Sequence, residues 1–162
     1  MKLVVMGVSG CGKSSVGELL AQKIGAVFID GDDLHPASNK EKMSSGIPLN
    51  DDDRLPWLQS VGKTLQGQEN IVVACSALKK SYRDKILAQA PTTRFIHLHG
   101  SKELLLGRLG YRTSHFMPLS LLDSQLQTLE MMDSSEPGKV FDVAKPVGEI
   151  IEEVIIWIDS QW

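Results

Sequence analysis

The sequence predicts an α/β protein with a parallel, five-stranded sheet, and three observations carry that prediction. Short apolar runs alternate with helical stretches along the whole chain. The first run, Leu3-Val4-Val5-Met6, passes into Gly7-Val8-Ser9-Gly10-Cys11-Gly12-Lys13-Ser14, which fits G-x-x-x-x-G-K-[ST] and opens an amphipathic stretch to Ile24. A third run, Ile71-Val72-Val73-Ala74, is continuously apolar, as a strand covered on both faces is.

At 162 residues the chain is one domain's worth, with no internal repeat or linker, so residues 1–162 are taken as one unit. Lys and Arg number 17 against 20 Asp and Glu, which leaves no basic field to draw nucleic acid or an anionic membrane. The apolar runs are far shorter than a membrane span, and Met1-Lys2 leads directly into the first strand, so a cytoplasmic location is expected. Cys11 and Cys75 have no metal-ligand spacing and read as buried fillers in a reducing compartment.

The loop from Gly7 to Ser14 is a phosphate cradle by its chemistry. Its glycines let successive N–H groups converge on one anion, backed by the positive end of the next helix. Lys13 would meet the β and γ phosphates and Ser14 would ligate Mg²⁺. Next, Ala26-Val27-Phe28-Ile29 ends in Asp30-Gly31-Asp32-Asp33-Leu34-His35-Pro36. Asp30 and Asp32 flank a glycine, so two carboxylates can project from one turn, suited to Mg²⁺ held through water and to a base for a substrate hydroxyl.

A short helix over 37–45 is broken at Gly46 and Pro48, and a second runs from the acids at 51–53 to about residue 66, with Asp51 and Asp52 expected as caps. Arg54, one turn into that helix, opposes its dipole and so points to a carboxylate on a ligand or on the chain. The strand at 70–76 lacks the terminal acid of nucleotide-driven motors and switches, which leaves the metal-side carboxylate to Asp30. Another helix is predicted to open at Ser76, with Lys79 and Arg83 on one face. Arg94 to His99 alternates as a strand and a helix covers 101–109. Arg108 and Arg112 then lie on a polar segment, about 108–118, that reads as a lid able to exclude water. A helix carrying Gln125 spans 118–131, the last strand is 139–143, and a closing helix at 149–157 follows the turn at Pro146.

With these residues in place the chain resembles the gluconokinases, small phosphate-loop kinases related to shikimate kinase. The resemblance rests on the phosphate loop, Asp30 to Pro36, Lys42-Met43, Leu49 to Arg54 with Pro56-Trp57-Leu58, Cys75 to Lys80, Tyr82-Arg83-Asp84 and His115-Phe116-Met117. It implies transfer of the γ-phosphate of ATP to D-gluconate, strand order 2-3-1-4-5, ATP and Mg²⁺ as required partners, and admits a homodimer. By likeness, Asp30 holds Mg²⁺ through water with Ser14, Asp32 binds the acceptor hydroxyl as base, and Arg54 binds the sugar acid. Lys13 and Arg112 stabilise the phosphoryl group, which with Asp32 makes the expected catalytic set. The nucleotide is expected on Gly7, Val8, Ser9, Gly10, Cys11, Gly12, Lys13, Ser14 and Ser15, with Arg108 and Pro146. The acceptor is expected on Asp32, His35, Arg54, Lys79, Arg83, His115 and Gln125. Ser114 stands where that family's lid carries glycine.

Two other readings share the phosphate side. One is a kinase for another small sugar acid or for shikimate, which Arg54 and the surroundings of His35 would decide. The other is a nucleotide switch, which the sequence disfavours: Asn39-Lys40 is followed by Glu41-Lys42 rather than completing Asn-Lys-x-Asp, and the third strand ends without an acid.

Overall fold

A computed structural model describes residues 1–110 and 119–162. Its sheet has strands β1 (Lys2–Met6), β2 (Val27–Asp30), β3 (Ile71–Ala74), β4 (Arg94–His99) and β5 (Gly138–Asp142) in the order β2-β3-β1-β4-β5. Every pairing is parallel, and Val4 on the central strand lies opposite both Val73 and Phe95. All strands therefore end at one edge of the sheet. The helices are α1 (Lys13–Ile24), α2 (Ala37–Ser44), α3 (Asp51–Gln66), α4 (Lys80–Gln89), α5 (Lys102–Gly110), α6 (Leu119–Thr128) and α7 (Val147–Gln161).

The sheet is covered on both faces, which explains the unbroken apolar runs. Leu3, Val5, Val72, Ile96 and Leu98 face α1 and α7 through Leu20, Ile151 and Val154. Val4, Met6, Ile71, Val73 and Phe95 face α3 and α4 through Trp57, Leu58, Val61 and Ile86. Successive strand residues point to opposite faces, so each strand serves two cores at once. Among the described residues, no helix is long and apolar enough to cross a membrane.

The predicted helix at Ser76 starts four residues late. Residues 75–79 form a loop, and α4 begins at Lys80 with Lys79 as its extended N-cap. Long-range contacts hold that loop open: Glu130 N–H donates to the Leu78 carbonyl at 2.7 Å, and the Glu130 carboxylate accepts from Lys80 N–H at 2.9 Å. Arg83 supplies the rest. Its Nε donates to Glu136 at 2.6 Å, and its Nη atoms donate to the carbonyls of Ala77 and Glu130 at 2.8 and 2.9 Å. Arg83 is fully buried, so its expected place among acceptor-binding residues is corrected. It shares no face with Lys79, which lies outside the helix, and its donors are committed to the protein. Leaving Glu136 as an unpaired buried charge, Arg83→Met is expected to cost about 3 kcal/mol of stability. Urea denaturation measures this, and an unchanged midpoint would contradict the assignment.

His97 on β4 is likewise fully buried, and neither ring nitrogen meets a partner among the described residues. Burial, then the nearby His99 and Arg83, lowers its pKa to about 4. The buried His35 is lowered to about 4 by burial, then by Arg54 and Lys40. Both imidazoles fold neutral, whereas an unfolded chain protonates them near the ordinary 6.5. Their contribution is therefore complete above that value and is lost as pH falls through the window towards 4. The melting temperature should decline across this range, and His97→Phe should flatten the decline; equal slopes would remove His97 as a cause.

Candidate active site

The phosphate loop leaves β1 through Gly7, Gly10 and Gly12, whose φ values of 146°, 86° and 89° lie in the region that favours glycine. Gly12 is the N-cap of α1, and no side chain caps that helix. Among the described residues, no protein acceptor meets the amides of Gly10, Gly12 or Ser14, which leaves them for an anion. The loop is braced from behind: Gly7 N–H donates to Ser76 O at 3.3 Å, and Cys11 N–H to Val8 O at 3.3 Å. The Lys13 ammonium donates to the Val8 carbonyl at 3.2 Å. Gln125, expected on the acceptor, here accepts from the Ser9 amide at 2.7 Å and so ties α6 to the loop. Both cysteines are buried free thiols, and burial raises each pKa, that of Cys75 to about 12.

The acidic turn meets this loop directly. Asp30 ends β2; its Oδ1 accepts from Asp32 N–H at 3.0 Å, and its Oδ2 accepts from the Ser14 hydroxyl at 3.3 Å. One carboxylate thus shapes the turn and joins the hydroxyl expected to hold a metal. Gly31 is required there: a Cβ would lie 2.4 Å from the Ala74 carbonyl oxygen. Asp32 is exposed to solvent on one side and desolvated by the protein on the other. That burial, with the Asp30 carboxylate, raises its pKa above the ordinary value against the pull of Lys13.

Two residues outside the expected set, Trp57 and Asn39, hold the turn in place together with the expected His35. Trp57 Nε1 donates to Gly31 O at 2.8 Å, and His35 stacks on the indole with centroids 4.2 Å apart. Asn39 Nδ2 donates to Asp53 O at 2.7 Å and lies 3.2 Å from His35 Nδ1. A buried indole N–H needs an acceptor, which is the signal that singles out Trp57; nothing in the local sequence distinguishes Asn39.

The caps of α3 differ from expectation. Asn50 is the N-cap and Asp53 completes the reciprocal capping box, at 2.8 and 3.0 Å. Asp51 is released for another task. Its Oδ1 accepts from the Tyr82 hydroxyl at 2.5 Å and lies 3.6 Å from Lys79 Nζ and 3.9 Å from Arg54 Nη1. Arg54 and Lys79, from separate segments, are thereby brought together.

Across the phosphate loop, a cavity of about 320 Å³ is lined by Gly10, Gly12, Ser15, Arg108, Val147 and Ile150. The Arg108 guanidinium donates to the Val143 carbonyl, and Pro146 caps α7 next to Val147. Apolar side chains beside a cation and the loop suit a heterocyclic base attached to a polyphosphate. Arg112 and His115, with the part of the expected lid from residue 111 to 118, lie outside the described residues.

The family model for shikimate kinase matches residues 9–137. A gluconokinase of Gluconobacter oxydans is 45% identical over 157 residues, covering 94% of this chain and 88% of that protein. The thermosensitive gluconokinase of Escherichia coli is 43% identical over 155 residues, covering 93% and 83%. The crystal structure of a gluconokinase from Sinorhizobium meliloti superposes with a TM-score of 0.87 at 54% identity, covering 94% of this chain and 87% of that one. Shikimate kinase of Aquifex aeolicus, at 17% identity and a TM-score of 0.64, shares the fold. A phosphate loop joined to the Asp30 turn, in a chain this similar to them throughout, places the protein in the gluconokinase family, among the kinases that the shikimate kinase model describes.

Proposed function

We propose that this kinase transfers the γ-phosphate of ATP to the 6-hydroxyl of D-gluconate, giving 6-phospho-D-gluconate. The observation that carries the reading is the contact between the Ser14 hydroxyl and the Asp30 carboxylate, with Asp32 next to it and Arg54 and Lys79 gathered at Asp51. A hydroxyl and a carboxylate are hard oxygen donors and fit Mg²⁺, with Asp30 acting through water. When bound, the metal would neutralise charge on the phosphates.

The residues divide the remaining work. The loop amides and Lys13 hold the phosphates and stabilise the charge that develops during in-line transfer. Asp32 accepts the acceptor's hydroxyl proton, a role its raised pKa favours. Arg54 and Lys79 pair with the carboxylate of the sugar acid, and Arg108 with Pro146 flanks the base. Arg112 and His115 belong to the proposed lid, which adds donors and excludes water on closing.

Purified protein with Mg-ATP should consume ATP in proportion to added D-gluconate in a panel of sugar acids that includes shikimate. Dependence on another acid alone would reassign the acceptor. No dependence on any would overturn the enzyme reading.

A further inference from the structure

We propose that Tyr82 is a positioning residue for the acceptor's acid group, holding Arg54 and Lys79 as a single two-cation seat. The inference rests on the sugar-acid reading above, and names a group outside the residues assigned there.

Tyr82 lies on α4 and is buried to 3% exposure. Its hydroxyl accepts from Arg54 Nη1 at 3.1 Å and donates to Asp51 Oδ1 at 2.5 Å. A phenol has one proton to give, so donation to Asp51 turns its lone pairs towards the guanidinium. The ring serves as well: the Arg54 guanidinium and the Lys79 ammonium each lie 5.5 Å from its centroid. Burial and the Asp51 hydrogen bond raise the phenol's pKa to about 12, so it keeps its proton at neutral pH.

Two long cationic side chains from different segments are thus held by one rigid ring and by the Asp51 carboxylate that its hydroxyl fixes. Without the phenol hydroxyl, more of that ordering would fall to the ligand, at an entropic cost to binding. Among the described residues, Arg54 spends Nη1 on Tyr82 while Nε and Nη2 meet no protein acceptor, so a planar fork remains for a carboxylate. Arg54 lies three residues before Trp57 on α3, and Trp57 holds Gly31 and His35 in the turn that carries Asp32, which sets this seat on the acceptor side.

Tyr82→Phe keeps the ring and removes the hydroxyl. It is expected to raise KM for D-gluconate about tenfold, with kcat and KM for ATP within about twofold of wild type. In an Arg54→Met background the same change should shift KM by no more than about twofold, because Tyr82 acts through Arg54. Melting curves verify that each variant is folded. An unchanged KM in the single variant would overturn the inference, as would a tenfold effect persisting without Arg54. Wild-type protein inert towards every acid in the panel would overturn the enzyme reading as well, whereas an active wild type with an unaltered Tyr82→Phe overturns only this inference.

Discussion

Lys13→Met is expected to lower kcat by about 10³-fold while the protein melts close to the wild-type temperature. Lys13 is the first residue of α1, and among the described residues its ammonium makes one hydrogen bond, to the Val8 carbonyl at 3.2 Å. That contact belongs to the phosphate loop itself and braces no other element, so removing it costs the fold little. The cost falls on transfer, because a cation fixed beside the migrating phosphoryl group acts when charge moves from the γ-phosphate to the leaving oxygen. The loop amides that remain still bind the polyphosphate, so KM for ATP should rise far less than kcat falls. Lys13→Arg should not restore the rate, since a planar fork does not replace a compact ammonium in a loop closed around a phosphate. Steady-state kinetics beside direct nucleotide binding give the answer. A kcat within about tenfold of wild type would remove Lys13 from the transition state.

The phosphate side was legible because its chemistry is local. Glycine spacing, the strand before it and the helix after it occupy one short stretch, and the positive φ values at Gly7, Gly10 and Gly12 follow from that spacing. The sheet was legible for a related reason: apolar runs buried on both faces stand out whatever lies beside them. The acceptor side was read less completely, since its geometry depends on contacts distant in sequence. Ser76 to Lys79 reads as a helix start until Arg83 and Glu130 take the carbonyls of Ala77 and Leu78 and the Glu130 carboxylate accepts from the Lys80 amide. Arg83 reads as an acceptor-binding cation on one face with Lys79 until Glu136, 53 residues later, meets it in the interior. Asp51 reads as a cap because acids favour the first turn of a helix, yet Asn50 and Asp53 cap α3 reciprocally and leave Asp51 for Tyr82. Tyr82 itself gives no local sign, for an aromatic residue on an amphipathic helix is ordinarily core.

Asp32→Asn is expected to lower kcat by roughly 10²- to 10⁴-fold, the range for loss of a positioned base, and to raise stability at neutral pH. The two effects share one cause. Partial burial and the Asp30 carboxylate raise the Asp32 pKa above its ordinary value, so its charged form is disfavoured in the folded chain. For a group raised in this way, the stabilising contribution is present below the unfolded pKa and is lost as pH rises through the folded pKa. At neutral pH the charged carboxylate therefore works against folding, and an isosteric neutral amide relieves it. The same raised pKa brings the base closer to the hydroxyl it must deprotonate, a strain kept for activity rather than stability. Wild-type kcat/KM should fall on the acid side as the base takes up its proton, and Asp32→Asn should lose that limb. ATP affinity should stay near wild type, since the contact with Ser14 belongs to Asp30. Calorimetry with and without nucleotide, beside the pH profile, separates the roles. If Asp32→Asn melts lower and loses ATP, then Asp32 holds the metal side of the site and the division of labour between the two acids is reversed.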